Sequence, residues 1–101
     1  MSAAVARGVR IKICGLTRRE DLVACRGADL VGVVVGAPRS PRNLSWSEAE
    51  GILASARGRF LRVVVLVSPT PGEIAQAFRA GADRVQVHGA MPSGLPPGLE
   101  R

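Results

Sequence analysis

Tyrosine is absent from this 101-residue sequence, and aromatic residues make up only 3% of it. Few ring faces are therefore on offer for stacking nucleobases. No stretch approaches the roughly 18 consecutive apolar residues of a membrane span. The N-terminal "MSAAVARGVR" lacks the long apolar centre and cleavage site of a secretory signal, so a cytoplasmic chain is expected. Cysteine is limited to Cys14 and Cys25, and histidine to His88. Their spacing matches no zinc-ligand pattern, so no metal is expected. In a reducing compartment both thiols stay free.

Arginine, by contrast, is plentiful. Thirteen Arg and one Lys face eight acids, giving a net charge of +6. Such a balance suits an anionic partner, either nucleic acid or a phosphorylated small molecule; it also suits arginines spread over solvated helix faces. No basic run exceeds two residues, so the compact stripe of a nucleic-acid binder is missing. Neither nucleic acid nor membrane is expected as a partner. Hydrophobic residues at 47% exclude a disordered chain. The length suffices for one unit with a small core.

Three helix-start signals recur. "TRRE" (Thr17 to Glu20), "SWSE" (Ser45 to Glu48) and "TPGE" (Thr70 to Glu73) each fit the S/T-x-x-E capping box, in which hydroxyl and carboxylate satisfy two otherwise orphaned N–H groups. Pro71 at the first helical position reinforces the third. Between the boxes, "VRIKIC", "LVGVVV", "LRVVVLV" and "RVQVHG" read as short β-branched strands. Strands alternating with helices predict βαβ units and a parallel sheet. A second repeat agrees: "RGADLVGVVVG" (Arg26 to Gly36) resembles "AGADRVQVHG" (Ala80 to Gly89). In both, Gly-Ala-Asp closes a helix and launches a strand, with Gly27 and Gly81 suited to the left-handed closing position. The expected fold is α/β, of parallel (β/α) barrel type, with about four βα units. Cys25 shares a helix face with Leu22 and reads as a buried structural thiol. Trp46 reads as packing. The stretch "AMPSGLPPGLER" is too rich in Pro and Gly for a regular helix. The boundaries follow: residues 1–9 form an N-terminal extension, 10–89 the folded unit and 90–101 a tail.

In parallel α/β folds, ligands sit at the carboxyl ends of strands. Alternation along a strand assigns the faces. Ile11 and Ile13 share one face of the first strand, and Lys12 and Cys14 the other. In the fourth, Val85 and Val87 share one face, and Gln86 and His88 the other. The polar faces converge away from the helices, with Cys14 and His88 both at carboxyl ends. Each has an ordinary alternative: Cys14 as a small core residue, His88 as an imidazole satisfied by local backbone. The long loop "GAPRSPRNLS" carries Arg39 and Arg42, whose guanidinium forks suit a carboxylate or phosphate, or simply solvent.

In order and spacing, "KICGLT", "GADLVGVVV", "SPRNLS" and "VQVHG" resemble phosphoribosylanthranilate isomerase of tryptophan biosynthesis, over about Arg10 to Gly89. The resemblance implies the N-terminal half of a (β/α)8 barrel that works without a cofactor. The implied reaction is the Amadori rearrangement of N-(5-phosphoribosyl)anthranilate to 1-(2-carboxyphenylamino)-1-deoxyribulose 5-phosphate. By the same resemblance Cys14 is the general base, and Arg42 contacts the anthranilate carboxylate. Gln86 and His88 line the mouth. The family's general acid, an aspartate, and its phosphate-binding loops come from later strands. Asp29 and Asp83 cannot replace the acid, because "GAD" sets them at the amino-terminal ends of strands. A full barrel takes about 200 residues or more. Three expectations stand: a truncated isomerase that a C-terminal half completes, two copies closing one barrel, or an inactive half-barrel that oligomerises or binds an anionic ligand.

Overall fold

Valine-rich segments form the centre of the sheet, because β-branched side chains pack well on a pleated surface. The computed structural model describes residues 10–93. The expected N-terminal extension, most of the expected tail and any strand after it lie outside the described residues. Along the chain come β1 (Lys12–Ile13), a 3₁₀ helix (Arg19–Cys25), β2 (Leu30–Val35), β3 (Asn43–Leu44), α1 (Trp46–Ala56), β4 (Leu61–Val67), α2 (Pro71–Arg79) and β5 (Arg84–His88). All strands are parallel, in the order β1-β2-β4-β5, with the short β3 paired to the end of β2. This is the alternating parallel arrangement that the sequence predicts. No helix among the described residues is long and apolar enough to cross a membrane.

The two sheet faces differ in what covers them. On one, Val31, Val33, Val64, Leu66 and Val85 meet Leu22, Cys25, Ile52, Leu53 and Ile74 from the helical layer. Full burial of each Val or Leu contributes about 1.5–3 kcal/mol before entropic costs. Trp46 packs against this core, as expected. On the other face, Leu30, Val63 and Val65 form a small second cluster with Val34. Lys12 of β1 hydrogen-bonds Gln86 of β5 above this inner face. In a flat sheet those strands would stand about 14 Å apart, a gap that a sheet curling towards this side shortens.

The "GAD" repeat acts as a clamp at the amino-terminal ends of strands. Asp29 Oδ2 accepts from the Ile11 N–H at 2.8 Å, and Asp83 Oδ2 accepts from the Arg62 N–H at 2.8 Å. The returning bonds run from Asp29 N–H to the Ile11 carbonyl and from Asp83 N–H to the Arg62 carbonyl, both 2.8 Å. The Arg62 guanidinium also donates to both Asp83 oxygens and holds that carboxyl below the usual range. Both aspartates thus sit at the end away from the expected site.

Two of the three capping boxes form. Ser45 and Glu48 satisfy each other's backbone N–H groups at α1, and Thr70 and Glu73 do the same at α2, with Pro71 in its first turn. The Ser45 bonds also lower the Glu48 pKa. "TRRE" forms no box. The segment it was expected to start as an α-helix is a 3₁₀ helix whose N-cap is Arg18, with no side-chain cap bond. Backbone geometry explains the difference: Arg18 is extended (φ −141°, ψ 145°), so Thr17 lies one residue too early. Arg18 instead pairs with Asp21 at 3.1 Å. The first strand is also shorter than "VRIKIC" suggests, and β3 was not expected at all.

Candidate functional site

β1 ends in a tight turn. The N–H groups of Gly15 and Leu16 both donate to the Gly32 carbonyl, at 3.0 and 3.1 Å. Gly15 carries φ +83°, a left-handed conformation that side chains disfavour. The turn leaves Cys14 exposed, with its thiol over β2. A Cβ on Gly32 would stand only 3.1 Å from Cys14 Sγ, so this glycine makes room for the thiol. Cys25 contrasts with it: it is 2% exposed, and its thiol donates to the Asp21 carbonyl at 3.4 Å. Burial, and then the Asp21 charge, push the Cys25 pKa up. An inert structural thiol fits that setting.

The loop after β2 delivers an arginine to the same turn. Asn43 Oδ1 accepts from the Ala37 N–H at 2.7 Å, while Asn43 and Leu44 pair with Val34 and Val35. Ser40 Oγ accepts from the Arg42 N–H at 3.2 Å. So held, the Arg42 side chain lies across Gly15, where any added Cβ would collide with Arg42 Cδ. Thiol and guanidinium therefore flank one turn. Arg39, on the same loop, is exposed.

β5 supplies the third component. Gln86 links Lys12 on one side to His88 on the other, with 3.1 Å between Gln86 Nε2 and His88 Nε2. Ser68, just past β4, fixes the end of β5. Its N–H donates to the His88 carbonyl at 2.7 Å, and its hydroxyl accepts from the Ala90 N–H at 3.0 Å. Ser68 has φ +42°, the only positive value at a non-glycine among the described residues. Strain of this kind persists where surrounding bonds enforce it. Among the described residues, no group of three or more His, Cys, Asp or Glu could hold a metal ion.

No protein-family model matches the chain. Individual relatives do. The chain is 39% identical over 87 residues to N-(5'-phosphoribosyl)anthranilate isomerase of Methanocella arvoryzae, which covers 82% of this chain and 40% of the relative. The Aquifex aeolicus isomerase is 37% identical over 84 residues, covering 80% and 41%. The crystal structure of phosphoribosyl anthranilate isomerase from Thermotoga maritima matches with a TM-score of 0.72 at 38% identity, over 83% of this chain and 42% of that one. The chain is homologous to the N-terminal half of phosphoribosylanthranilate isomerases. It spans about two fifths of the length of the curated relatives it matches. A further isomerase structure, in complex with reduced 1-(o-carboxyphenylamino)-1-deoxyribulose 5-phosphate, matches at TM-score 0.73 and 38% identity, over 83% of this chain and 44% of that one.

Within this half-barrel, Cys14, Arg42 and His88 all stand at carboxyl ends of strands or in the loops that follow. Gln86 lies one step deeper on the inner face. Three contributors escaped the sequence reading. Gly32 is one glycine among twelve, and only the fold shows what it faces. Ser68 has no motif around it. Lys12 was placed on the correct face, but its partner is 74 residues away.

Proposed function

We propose that this chain carries the N-terminal part of a phosphoribosylanthranilate isomerase site and becomes active when a C-terminal half closes the barrel. The observation that carries the reading is the convergence of Cys14 and Arg42 on the Gly15 turn. The substrate N-(5-phosphoribosyl)anthranilate is an aldosylamine with a carboxylate and a phosphate, which suits a site approached by arginine. One relative was crystallised with a reduced product analogue bearing the same two anionic groups. Arg42 holds the anthranilate carboxylate through its planar fork.

The rearrangement needs an acid and a base with opposite protonation states. An acid on the complementary half protonates the ribose ring oxygen, and the C1′–O bond opens to a Schiff base. Cys14, as the thiolate, removes the C2′ proton; the electron pair moves through C1′ to nitrogen and gives the enolamine. Tautomerisation to the ketone returns a proton to carbon, so the reaction balances without redox cofactor or co-reactant. Gln86 and His88 line the mouth and orient the sugar. The phosphate rests on the partner's loops.

The test is reconstitution: the chain mixed with the C-terminal half of a relative is assayed for turnover. The mixture is expected to turn over and the chain alone to be inactive. Cys14→Ala lowers kcat by about 10²–10⁴-fold, whereas Arg42→Ala acts mainly by raising KM. A completed barrel without turnover favours a half-barrel that only binds anions or assembles. Full activity of the isolated chain, or of Cys14→Ala, overturns the proposed division of labour.

A further inference from the structure

The inner face holds a hydrogen-bond relay that runs from β1 to the end of β5. Lys12 and Cys14 are two residues apart on β1 and its end, and Gln86 and His88 two apart on β5, so alternation sets all four on one face. Lys12 Nζ donates to Gln86 Oε1, and Gln86 Nε2 lies 3.1 Å from His88 Nε2. An ammonium group has three donors and no acceptor. Gln86 must therefore turn its carbonyl oxygen to Lys12, which leaves its NH2 facing His88. The ring nitrogen opposite that NH2 has to carry a lone pair, because a proton there would set two donors face to face.

We propose that Lys12 is a positioning residue that fixes the Gln86 amide and so holds His88 as a neutral imidazole protonated at Nδ1. Nδ1–H is then the donor His88 presents at the carboxyl end of β5. Ser68 supports the arrangement from the backbone side through its bond to the His88 carbonyl. The role of that donor towards a sugar oxygen rests on the isomerase reading; the tautomer does not.

His88 is the sole histidine of the sequence, so a tag-free, ¹⁵N-histidine-labelled chain gives one imidazole in a long-range ¹H–¹⁵N correlation spectrum at neutral pH. The spectrum is recorded for the chain alone and for the chain paired with the C-terminal half of a relative. The wild type is expected to show the proton at Nδ1. Lys12→Met frees the amide to flip and moves the population towards Nε2–H, while Lys12→Arg, also a pure donor, restores Nδ1–H. Gln86→Glu offers His88 only acceptor oxygens and is expected to protonate Nε2. It decides the matter with Lys12 intact should Lys12→Met lose the dispersion of a folded spectrum. In the completed barrel, Lys12→Met lowers kcat by about 10- to 100-fold with little change in KM, and Lys12→Arg recovers it. A wild-type ring protonated at Nε2, or a ring that ignores both Lys12→Met and Gln86→Glu, overturns the proposal. Lack of turnover in the wild-type barrel counts against the isomerase reading alone, since the tautomer is read without it.

Discussion

Gly32 sets how closely the Cys14 thiol can lie against β2. An added methyl at 3.1 Å from Sγ is tighter than ordinary packing, so the thiol must move by a few tenths of an ångström. Cys14 is exposed and can move outward, so Gly32→Ala is expected to cost less than about 1 kcal/mol of stability. Proton abstraction is less forgiving. In the reconstituted barrel the substitution should lower kcat by about tenfold or more while KM holds, and steady-state kinetics beside a urea titration separates the two effects. An unchanged kcat would mean that the seating of the thiol is uncritical. Residues such as Cys14, Gln86 and His88 could be assigned to a face from sequence, because alternation in a strand is a local property. Arg42 could not. Its position depends on a loop braced by Asn43 and Ser40, and only family resemblance singled it out. The strain at Ser68 leaves no trace in composition, since its φ is imposed by bonds to residues 20 or more positions away.

At the scale of elements, the three similar boxes separate into two that cap and one that does not. A box works only where the residue before the helix is extended and the next is helical. Ser45 and Thr70 meet that condition. After Thr17 the chain stays extended through Arg18, because the bonds of Gly15 and Leu16 to Gly32 and the burial of Leu16 fix the path out of β1. Ser45→Ala and Thr70→Ala should therefore each cost about 1 kcal/mol, whereas Thr17→Ala should leave the chemical denaturation midpoint unchanged. Equal losses at all three sites would contradict the 3₁₀ assignment. The strands and two α-helices were legible because composition, caps and repeat agreed. The exceptions have a common cause: β3 is two residues long and exists through its pairing with Val34 and Val35, and the 3₁₀ helix is shaped by its tether to β2.

For the whole molecule, the open question is which surface closes the sheet. Apolar side chains are exposed in the helical layer, with Val23 63% exposed on the 3₁₀ helix and Phe78 37% exposed on α2. A second copy could supply four more strands, but the charges of the inner face oppose it. By alternation and register the inward strand positions among the described residues include Lys12, Arg84 and His88 and no Asp or Glu. Two-fold closure would bring two copies of Lys12 and of Arg84, all cationic, into one interior, where like charges repel and the cost rises as water is excluded. A complementary half with inward carboxylates relieves that cost. Sedimentation equilibrium of the chain alone should therefore show no discrete dimer, while an equimolar C-terminal half of a relative should give a one-to-one complex. Lys12→Met combined with Arg84→Met should weaken that complex and favour self-association, since the inner faces of two copies would then be compatible. A closed dimer of the unmodified chain, formed with no partner present, would show that charge does not select the occupant of this face.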